Sequence, residues 1–355
     1  MLSVSLMSSP KITFHHNIRN LGINQNHWYA VARSIELKSQ PLSITLWHQP
    51  IVLYRGCSGK IYALEDICPH RFIKLSSGRV IADELECAYH GWRFESSGKC
   101  SHVPYLGNDQ KLPSCQVQTF PVQERHGFIW LFPGDKSLAN LIDPLEIPEW
   151  EHLNYIATIS VIKCRAHYSY LVENLMDMHH GHLHQDWQAW AAAKLIDLSE
   201  NEYRVDAYYQ AQSYYKIDKI WSICQLVFPS LRQLHPEPLN VSYIYPNWVS
   251  SLGKDFKIYC LLLPINERET QGYLIHFTSL HAFWRLHKLP EWFRRFVKNS
   301  LFGSAQKLLD GLVQQDIEMI EEEQLAYLKN PQGRNYELNR ALVSTQRLIR
   351  TQAIK

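Results

Sequence analysis

Hydrophobic and polar positions divide the chain into an N-terminal part with short strand patterns and a C-terminal part with longer ones. Residues 28 to about 135 carry β-branched and aromatic runs, such as ITLWHQPIVLYRG and KIYALEDI, between the turn sequences SSGRV, SSGKC and FPGDK. Such runs, bounded by Gly, Asp and Ser, are typical of short strands joined by turns. The first part is therefore predicted to be all-β.

The second part follows a stretch rich in proline and acidic residues, DPLEIPEWE at 143–151, and we predict a domain boundary there. YIATISVIKCRAHYSY alternates like a strand, strand-like segments recur between 203 and 280, and the pattern is helical from about 299 to 329. A polar, arginine-containing segment completes the chain. The predicted organisation is an N-terminal tail (1–27), a β-domain (28–142) and a second domain (143–355).

Composition excludes several classes of protein. The chain has 355 residues and a formal net charge of +2, so it is long enough for two domains and has no charge excess suited to a polyanion. No apolar run approaches the roughly 18 residues that span a bilayer, and the N-terminus MLSVSLMSSPK is a poor secretory signal. We therefore expect a cytoplasmic protein. The 8 cysteines are scattered, which favours metal binding by a subset over a disulfide framework.

One cysteine subset is patterned with histidine. ICPHR gives Cys68-x-His70, and CAYHGWRF gives Cys87-x-x-His90 after sixteen intervening residues. Each pair can be presented by one loop tip. Two thiolates and two imidazoles suit a structural zinc, and they equally suit a [2Fe–2S] cluster in which the thiolates hold one iron and the imidazoles the other.

A second motif lies in ENLMDMHHGHLH, which contains His179, His180, His182 and His184. If residues 171–184 form one helix at about 100° per residue, His180 and His184 lie roughly 40° apart and Asp177 lies beside them. His182 then lies on the opposite face. Two histidines and one carboxylate form the facial triad of non-heme Fe(II) oxygenases, which leaves positions open for O2 and substrate.

The C-terminal helical pattern offers the carboxylate. In SAQKLLDGLVQQDIEMIEEEQLAYL, Asp316 falls within an apolar stripe, whereas Glu318, Glu321 and Glu322 point away from it. A buried carboxylate is costly unless it is paired or bound to metal, so Asp316 is the predicted third ligand. Glu323, on the same stripe, is the rival, and an Asp316 that serves only as a hydrogen-bond acceptor is the structural alternative.

These motifs together resemble the catalytic (alpha) subunits of Rieske non-heme iron oxygenases, from NHWYAVA to QQDIEMIEEEQ. CPHR and YHGW resemble the cluster loops, and ENLMDMHHGHLH resembles the family's Asn-x-x-Asp-x-x-His segment. The resemblance implies an α+β protein, in which an all-β Rieske [2Fe-2S] domain precedes a helix-grip (START-like) catalytic domain with an antiparallel sheet and helices.

Residue roles follow from the same resemblance. It implies that Cys68, His70, Cys87 and His90 hold the [2Fe-2S] cluster and that His180, His184 and Asp316 hold mononuclear Fe(II). It also implies that Asp177 connects His180 with His90 of the partner subunit in a homotrimer, with Asn174 behind the iron site. Many family members have four residues between the iron histidines, whereas three separate His180 from His184. His179 restores the spacing of four but loses the Asp177 register, so it is kept as the alternative ligand.

The implied activity is oxygenation driven by a ferredoxin and a ferredoxin reductase. O2 would be activated to hydroxylate, or oxidatively demethylate, a hydrophobic or aromatic small molecule, and chain length favours the monooxygenase branch. An oxygenase of chlorophyll-type macrocycles is one alternative. A non-catalytic Rieske electron carrier or redox sensor is the other, and it would lack the mononuclear iron.

Overall fold

The computed structural model describes most of the chain. The described residues are 17–107, 109–187 (backbone only at 185–187), 190–214, 231, 233–282, 286–300, 303, 306–333 and 336–354.

Short strands build the first part of the chain. They form three antiparallel sheets, in the orders β1-β11-β10, β2-β3-β4-β9 and β5-β6-β7-β8. Their bounds are β1 Tyr29–Arg33, β2 Leu42–Leu46, β3 Gln49–Arg55, β4 Ile61–Glu65, β5 Arg79–Ile81, β6 Glu84–Glu86, β7 Arg93–Phe94, β8 Cys100–His102, β9 Thr119–Phe120, β10 Val122–Arg125 and β11 Phe128–Leu131. Of the residues described here, the helical ones are short 3-10 turns, so the all-β prediction is confirmed.

A seven-stranded antiparallel sheet dominates the second part, in the order β12-β18-β17-β16-β15-β14-β13. Its bounds are β12 Tyr155–Cys164, β13 Trp190–Glu200, β14 Arg204–Ser213, β15 His235–Ile244, β16 Asn247–Leu252, β17 Phe256–Asn266 and β18 Glu269–Ser279. The helices are α1 Tyr168–Met176, α2 Glu291–Ser300, α3 Gln306–Lys329 and α4 Arg340–Ala353. The strand predicted for YIATISVIKCRAHYSY is confirmed over Tyr155–Cys164, whereas its end is wrong, because His167 caps helix α1 and residues 168–170 are helical. The strand-like segments predicted from 203 to 280 are confirmed wherever residues are described. The predicted α+β architecture is confirmed as well.

The two faces of this sheet have different partners. Leu262, Leu274 and Val241 face the helices and share a core cluster with residues of α1, α3 and α4. The opposite face, which includes Tyr259 and Ile275, packs against Trp28, Phe128 and Trp130 of the first part. Burial of such large side chains contributes about 1.5–3 kcal/mol each, which holds the sheet between two apolar layers.

Register fixes which side chains share the helix-covered face. Directly opposed residues on antiparallel strands point to the same side of a sheet. One such row across the sheet consists of Thr158, His276, Ile258, Ser250, Val241 and Ala207. Three of these six residues are apolar, and His276 lies between Thr158 and Ile258.

The continuous helix expected over 171–184 is wrong. Helix α1 ends at Met176, because Asp177 takes an extended backbone conformation (φ −92°, ψ 106°) as the C-terminal cap. Asp177 Oδ1 then accepts the backbone N–H of His179 at 3.0 Å, a local turn that competes with helix continuation. A separate 3-10 helix covers His180–Trp187.

The C-terminal polar segment contains a helix that the pattern did not indicate. Asn339 begins α4 by accepting the backbone N–H of Ala341 at 3.0 Å. Helix α4 then packs against α1 and β14. Among the described residues, no helix is both long enough and apolar enough to cross a membrane.

Candidate functional site

The first motif forms two facing loop tips at one end of the β-part. In the loop after β4, the backbone N–H of Cys68 donates to Ile73 O at 2.8 Å, and Phe72 N–H donates back to Cys68 O at 2.8 Å. In the loop after β6, Cys87 N–H donates to Trp92 O at 2.8 Å. Each loop is therefore closed on itself by its own backbone and presents one cysteine and one histidine.

The four side chains of the first motif differ in solvent exposure. Cys68 and Cys87 are 2% and 3% exposed, whereas His70 and His90 are half-buried. The two imidazole rings lie 4.5 Å apart between centroids. Burial, with the thiol of Cys87 in hydrogen-bond contact, raises the pKa of the Cys68 thiol to about 12. Buried thiols beside half-buried imidazoles fit a cluster with a thiolate-bound inner iron and an imidazole-bound outer iron.

The loops are supported by residues that the motif did not reveal. Trp92 stacks on His70 with ring centroids 4.6 Å apart and 6° between planes, and its Nε1–H donates to Tyr105 Oη at 2.8 Å. Buried Asp66 accepts hydrogen bonds of 2.7 Å from Ser43 Oγ and from both Oγ and the backbone N–H of Ser76. Asp66 therefore fixes the base of the first loop, and Trp92 orients an imidazole.

The second motif brings three side chains together from two distant segments. His184 Nε2 lies 3.3 Å from Asp316 Oδ1, and His180 Nε2 lies 3.7 Å from the same oxygen. The three ligand-type atoms all lie within 4.8 Å of one another. Ligand atoms held at about 2.1 Å from a metal and about 90° apart would be separated by about 3 Å. The cluster therefore fits a single metal ion with the two histidines and the carboxylate on one side.

Each histidine is oriented by its other ring nitrogen. His184 Nδ1 lies 3.0 Å from Gln315 Oε1, and His180 Nδ1 donates to the backbone carbonyl of Asp177. Both contacts put the proton on Nδ1 and leave the Nε2 lone pair free to face Asp316, as metal-binding histidines require. The hydrogen bond to Asp316 raises the pKa of His184 in the absence of a metal.

The remaining residues of the motif lie around this centre. Asn174 Nδ2 donates to Asp316 Oδ1 at 3.4 Å. Asp177 is bound through its carboxylate to Asn339 Nδ2 at 3.0 Å, and it contacts His180 through its main-chain oxygen. His179 is exposed, and its backbone N–H is the group in contact with Asp177.

Two residues at this centre were missed. Gln315 is next to the predicted ligand Asp316 in the sequence QQD. A side-chain amide in that position is a candidate hydrogen-bond partner for a ligand histidine, so the sequence did contain a signal for it. Asn339 follows from no local signal, because it lies 162 residues from Asp177 in a polar stretch. Glu323, the rival carboxylate, is exposed.

The chain combines two kinds of metal site. The first is a Cys-x-His and Cys-x-x-His loop pair in the β-part, and the second is a His–His–carboxylate centre beside a helix-covered sheet. Together they define an electron-transferring oxidoreductase with two metal centres. Residues 27–121 match the Rieske [2Fe-2S] domain family. The 4β-methylsterol monooxygenase of Methylococcus capsulatus is 30% identical over 98% of this chain and 93% of its own length. The chain thus belongs to the Rieske non-heme iron oxygenases, as a catalytic subunit.

Further relatives agree. The oxygenase component of dicamba O-demethylase from Stenotrophomonas maltophilia is 39% identical over 50% of this chain and 52% of its own. A crystal structure of dicamba monooxygenase bound to 3,6-dichlorosalicylic acid matches with a TM-score of 0.76 and 24% identity, covering 93% of this chain and 97% of that one. This structural likeness establishes the shared fold.

The family fixes the cofactors and the type of activity. The protein carries a Rieske [2Fe-2S] cluster and a mononuclear non-heme iron, and one dicamba monooxygenase structure also contains non-heme iron. It is an oxidoreductase of the monooxygenase and demethylase type. The predictions of family, cofactors and reaction type are confirmed. Relatives named as oxygenase components or iron–sulfur subunits are parts of multi-component systems.

Proposed function

We propose that this chain is the oxygenase component of a monooxygenase system that hydroxylates a methyl group, or a similar C–H position, on a largely apolar small molecule. The observation that carries the proposal is the convergence of His180, His184 and Asp316 in the same chain as the Rieske motif. A protein that only carries electrons through a Rieske cluster does not require a second metal centre.

The cluster ligands in this proposal are Cys68, His70, Cys87 and His90. Their support is the closure of both loops by backbone hydrogen bonds and the graded burial of thiols and imidazoles. When bound, the cluster supplies electrons singly and the mononuclear iron activates O2 for insertion into a C–H bond.

The iron ligands in this proposal are His180, His184 and Asp316. Both Nδ1 atoms are engaged by acceptors, so both Nε2 atoms are available. The exposed His179 has its described contact at the backbone, which favours His180 over this alternative. Asp316 with its two histidine contacts is favoured over the exposed Glu323.

Electron delivery in this proposal involves other protein molecules. Asp177 would connect His180 with His90 of the partner subunit in a homotrimer, and a ferredoxin and its reductase would supply electrons. Support comes from exposed aromatic side chains beside the cluster loops: Phe72 is 79% exposed and Tyr89 62%. An apolar rim around a redox centre suits protein docking. We further propose the division into domains at residues 28–142 and 143–355, and a cytoplasmic location.

The proposed substrate is apolar with a single hydrogen-bonding group. The helix-covered face of the sheet carries Leu262, Leu274 and Val241, and the row through His276 contains neither lysine nor arginine. Buried His276 Nε2 has no hydrogen-bond partner among the described residues. A hydroxyl on an alicyclic skeleton would satisfy that nitrogen, in agreement with the methylsterol substrate in the name of a relative that matches over 93% of its own length.

Isotope labelling tests this proposal. The purified protein, a ferredoxin, a reductase and reduced nicotinamide cofactor would be incubated with a 4-methylsterol under 18O2. We expect one 18O atom in the product, with turnover abolished by His180→Ala. Unchanged turnover in His180→Ala would overturn the iron assignment. Preference for an aromatic acid such as vanillate over the sterol would overturn the substrate class and leave the oxygenase assignment intact.

A further inference from the structure

Two cysteines outside both metal motifs lie opposite each other in the β-part, Cys100 at the start of β8 and Cys115 in the extended segment before β9. Lys99 and Gln116 form an isolated antiparallel bridge, and the next pair in the same register is Cys100 and Cys115. The backbone N–H of Cys100 lies 3.5 Å from Cys115 O. Hydrogen-bonded antiparallel partners have Cα atoms about 5.5 Å apart, which is within the range of a disulfide.

The two thiols lie in the same apolar cluster. The Cys115 thiol is near enough to contribute to the raised pKa of the Cys100 thiol, and both side chains pack in the apolar cluster beneath the Rieske loops. Neither is oxidised in this structure. Cys100 is 8% exposed, whereas Cys115 is half-buried and open to a small solute.

We propose that Cys100 and Cys115 are a redox-reactive pair that forms a reversible intramolecular disulfide when the protein meets hydrogen peroxide. Cys115, as the more accessible sulfur, attacks peroxide, the O–O bond breaks, and a sulfenic acid and water are formed. The Cys100 sulfur then displaces the second oxygen as water. Two thiols lose two electrons and two protons, and one H2O2 becomes two H2O.

Burial raises the pKa of the Cys100 thiol to about 11. This suits Cys100 to the second step, in which the partner sulfur is adjacent, and makes it a poor first target for peroxide. In the reverse direction, a small thiol can reach the Cys115 sulfur and reopen the bond.

The segment closed by this disulfide lies against the cluster loops. Pro104, two residues after β8, packs against the second cluster loop. A Cβ added at Gly91 of that loop would lie 2.8 Å from Pro104 Cγ. Tyr105 accepts the hydrogen bond of Trp92, which stacks on His70. The disulfide would therefore fix both ends of the segment that carries Pro104 and Tyr105, and this segment supports His70 through Trp92.

Peptide mapping tests the pair directly. Trypsin cuts after Lys99, Lys111 and Arg125, so Cys100 and Cys115 lie in separate peptides with one cysteine each. The holoprotein would be treated with graded H2O2, alkylated, and digested without reductant, while the visible absorption of the cluster reports its integrity. We expect the two peptides to become joined, with loss of two hydrogen atoms, before the cluster bleaches. Dithiothreitol should separate them.

Three variants complete the experiment. Cys100→Ser and Cys115→Ser should abolish the joined peptide, and Cys100→Ser should leave a dimedone-reactive sulfenic acid at Cys115. Cys57→Ser, which removes an exposed thiol elsewhere, should leave the linkage unchanged. The proposal is overturned if both thiols are still alkylated at peroxide doses that oxidise Cys57. It is equally overturned if wild-type Cys115 is oxidised without joining Cys100.

Discussion

His184 Nε2 and Asp316 Oδ1 lie 3.3 Å apart, although 131 residues separate them in the chain. One residue comes from the 3-10 helix after α1 and the other from the middle of α3. This contact joins the segment that carries two nitrogen ligands to the helix that carries the oxygen ligand.

Removal of the carboxylate should empty the second centre. We expect Asp316→Ala to lower the iron content by one atom per chain while acid-labile sulfide and cluster absorption stay at wild-type levels. The reason is that two imidazoles alone bind ferrous iron weakly. Glu323→Gln is the matched control from the same helix and should retain all iron. Loss of iron in the control and not in Asp316→Ala would reverse the assignment.

Gln315 should act through His184. Gln315→Leu removes the acceptor 3.0 Å from His184 Nδ1, and loss of such an orienting partner typically weakens metal binding about 10–100-fold. A chelator competition assay on the mononuclear iron measures this change. Gln314→Leu removes the neighbouring amide, which is bonded to Glu318, and should bind iron normally. Equal affinity in both variants would show that Gln315 does not orient the ligand.

His276 should affect substrate binding more than turnover. His276→Phe keeps an aromatic ring but removes the buried Nε2, so a substrate hydroxyl loses its partner. We expect kcat/KM to fall by a factor of roughly five, corresponding to about 1 kcal/mol, mainly through KM. Gln271→Leu, on the other face of β18, is the control. A fall in kcat at unchanged KM would place His276 outside substrate recognition.

The buried pair of Arg19 and Glu173 should matter for stability. Arg19 donates to Glu173 and to Ser169 Oγ, and both charged side chains are less than 10% exposed. Arg19→Met leaves a buried carboxylate without its cation, which typically costs 3–5 kcal/mol (an order-of-magnitude figure). Thermal unfolding should show a clear fall in Tm. Arg165→Met breaks the pair with Glu321, in which Arg165 is 86% exposed, and should change Tm little.

Glu149 should make stability depend on pH in the acid range. Burial opposes ionisation, but hydrogen bonds from Lys257 and from Tyr259 Oη, the latter at 2.6 Å, hold the pKa of Glu149 below its usual 4.5. A lowered folded-state pKa stabilises the protein above about pH 4.5, and this contribution is lost as pH falls through the folded-state pKa. The Tm difference between wild type and Glu149→Gln should therefore shrink below pH 4.5. The exposed Glu151→Gln should show no such difference at any pH.

Much of the architecture could be predicted because periodicity reports burial directly. Strand β14 alternates in sequence and in burial, with Val205, Ala207 and Tyr209 on the buried face. The spacing of cysteine and histidine in CPHR and YHGW is short enough for one loop tip to present each pair. Asp316 could be found because a carboxylate within an apolar stripe needs a partner. The end of α1 before Asp177 could not be predicted, because the residues on both sides fit one helical periodicity. Periodicity alone does not show that the helix is interrupted between them. Asn339 could not be found either, because its contact depends on how α4 packs against α1.

The end of α1 at Asp177 has a consequence for the spacing of the iron histidines. In one continuous helix, an added residue would turn the second histidine by about 100° and destroy the pair. Here the histidines begin a separate 3-10 segment, anchored by Asp177 O at one end and by Gln315 at the other. The number of residues between the ligands is therefore a property of a short connecting segment. Such a segment can gain or lose a residue during evolution while α1 and the oxygen ligand stay in place.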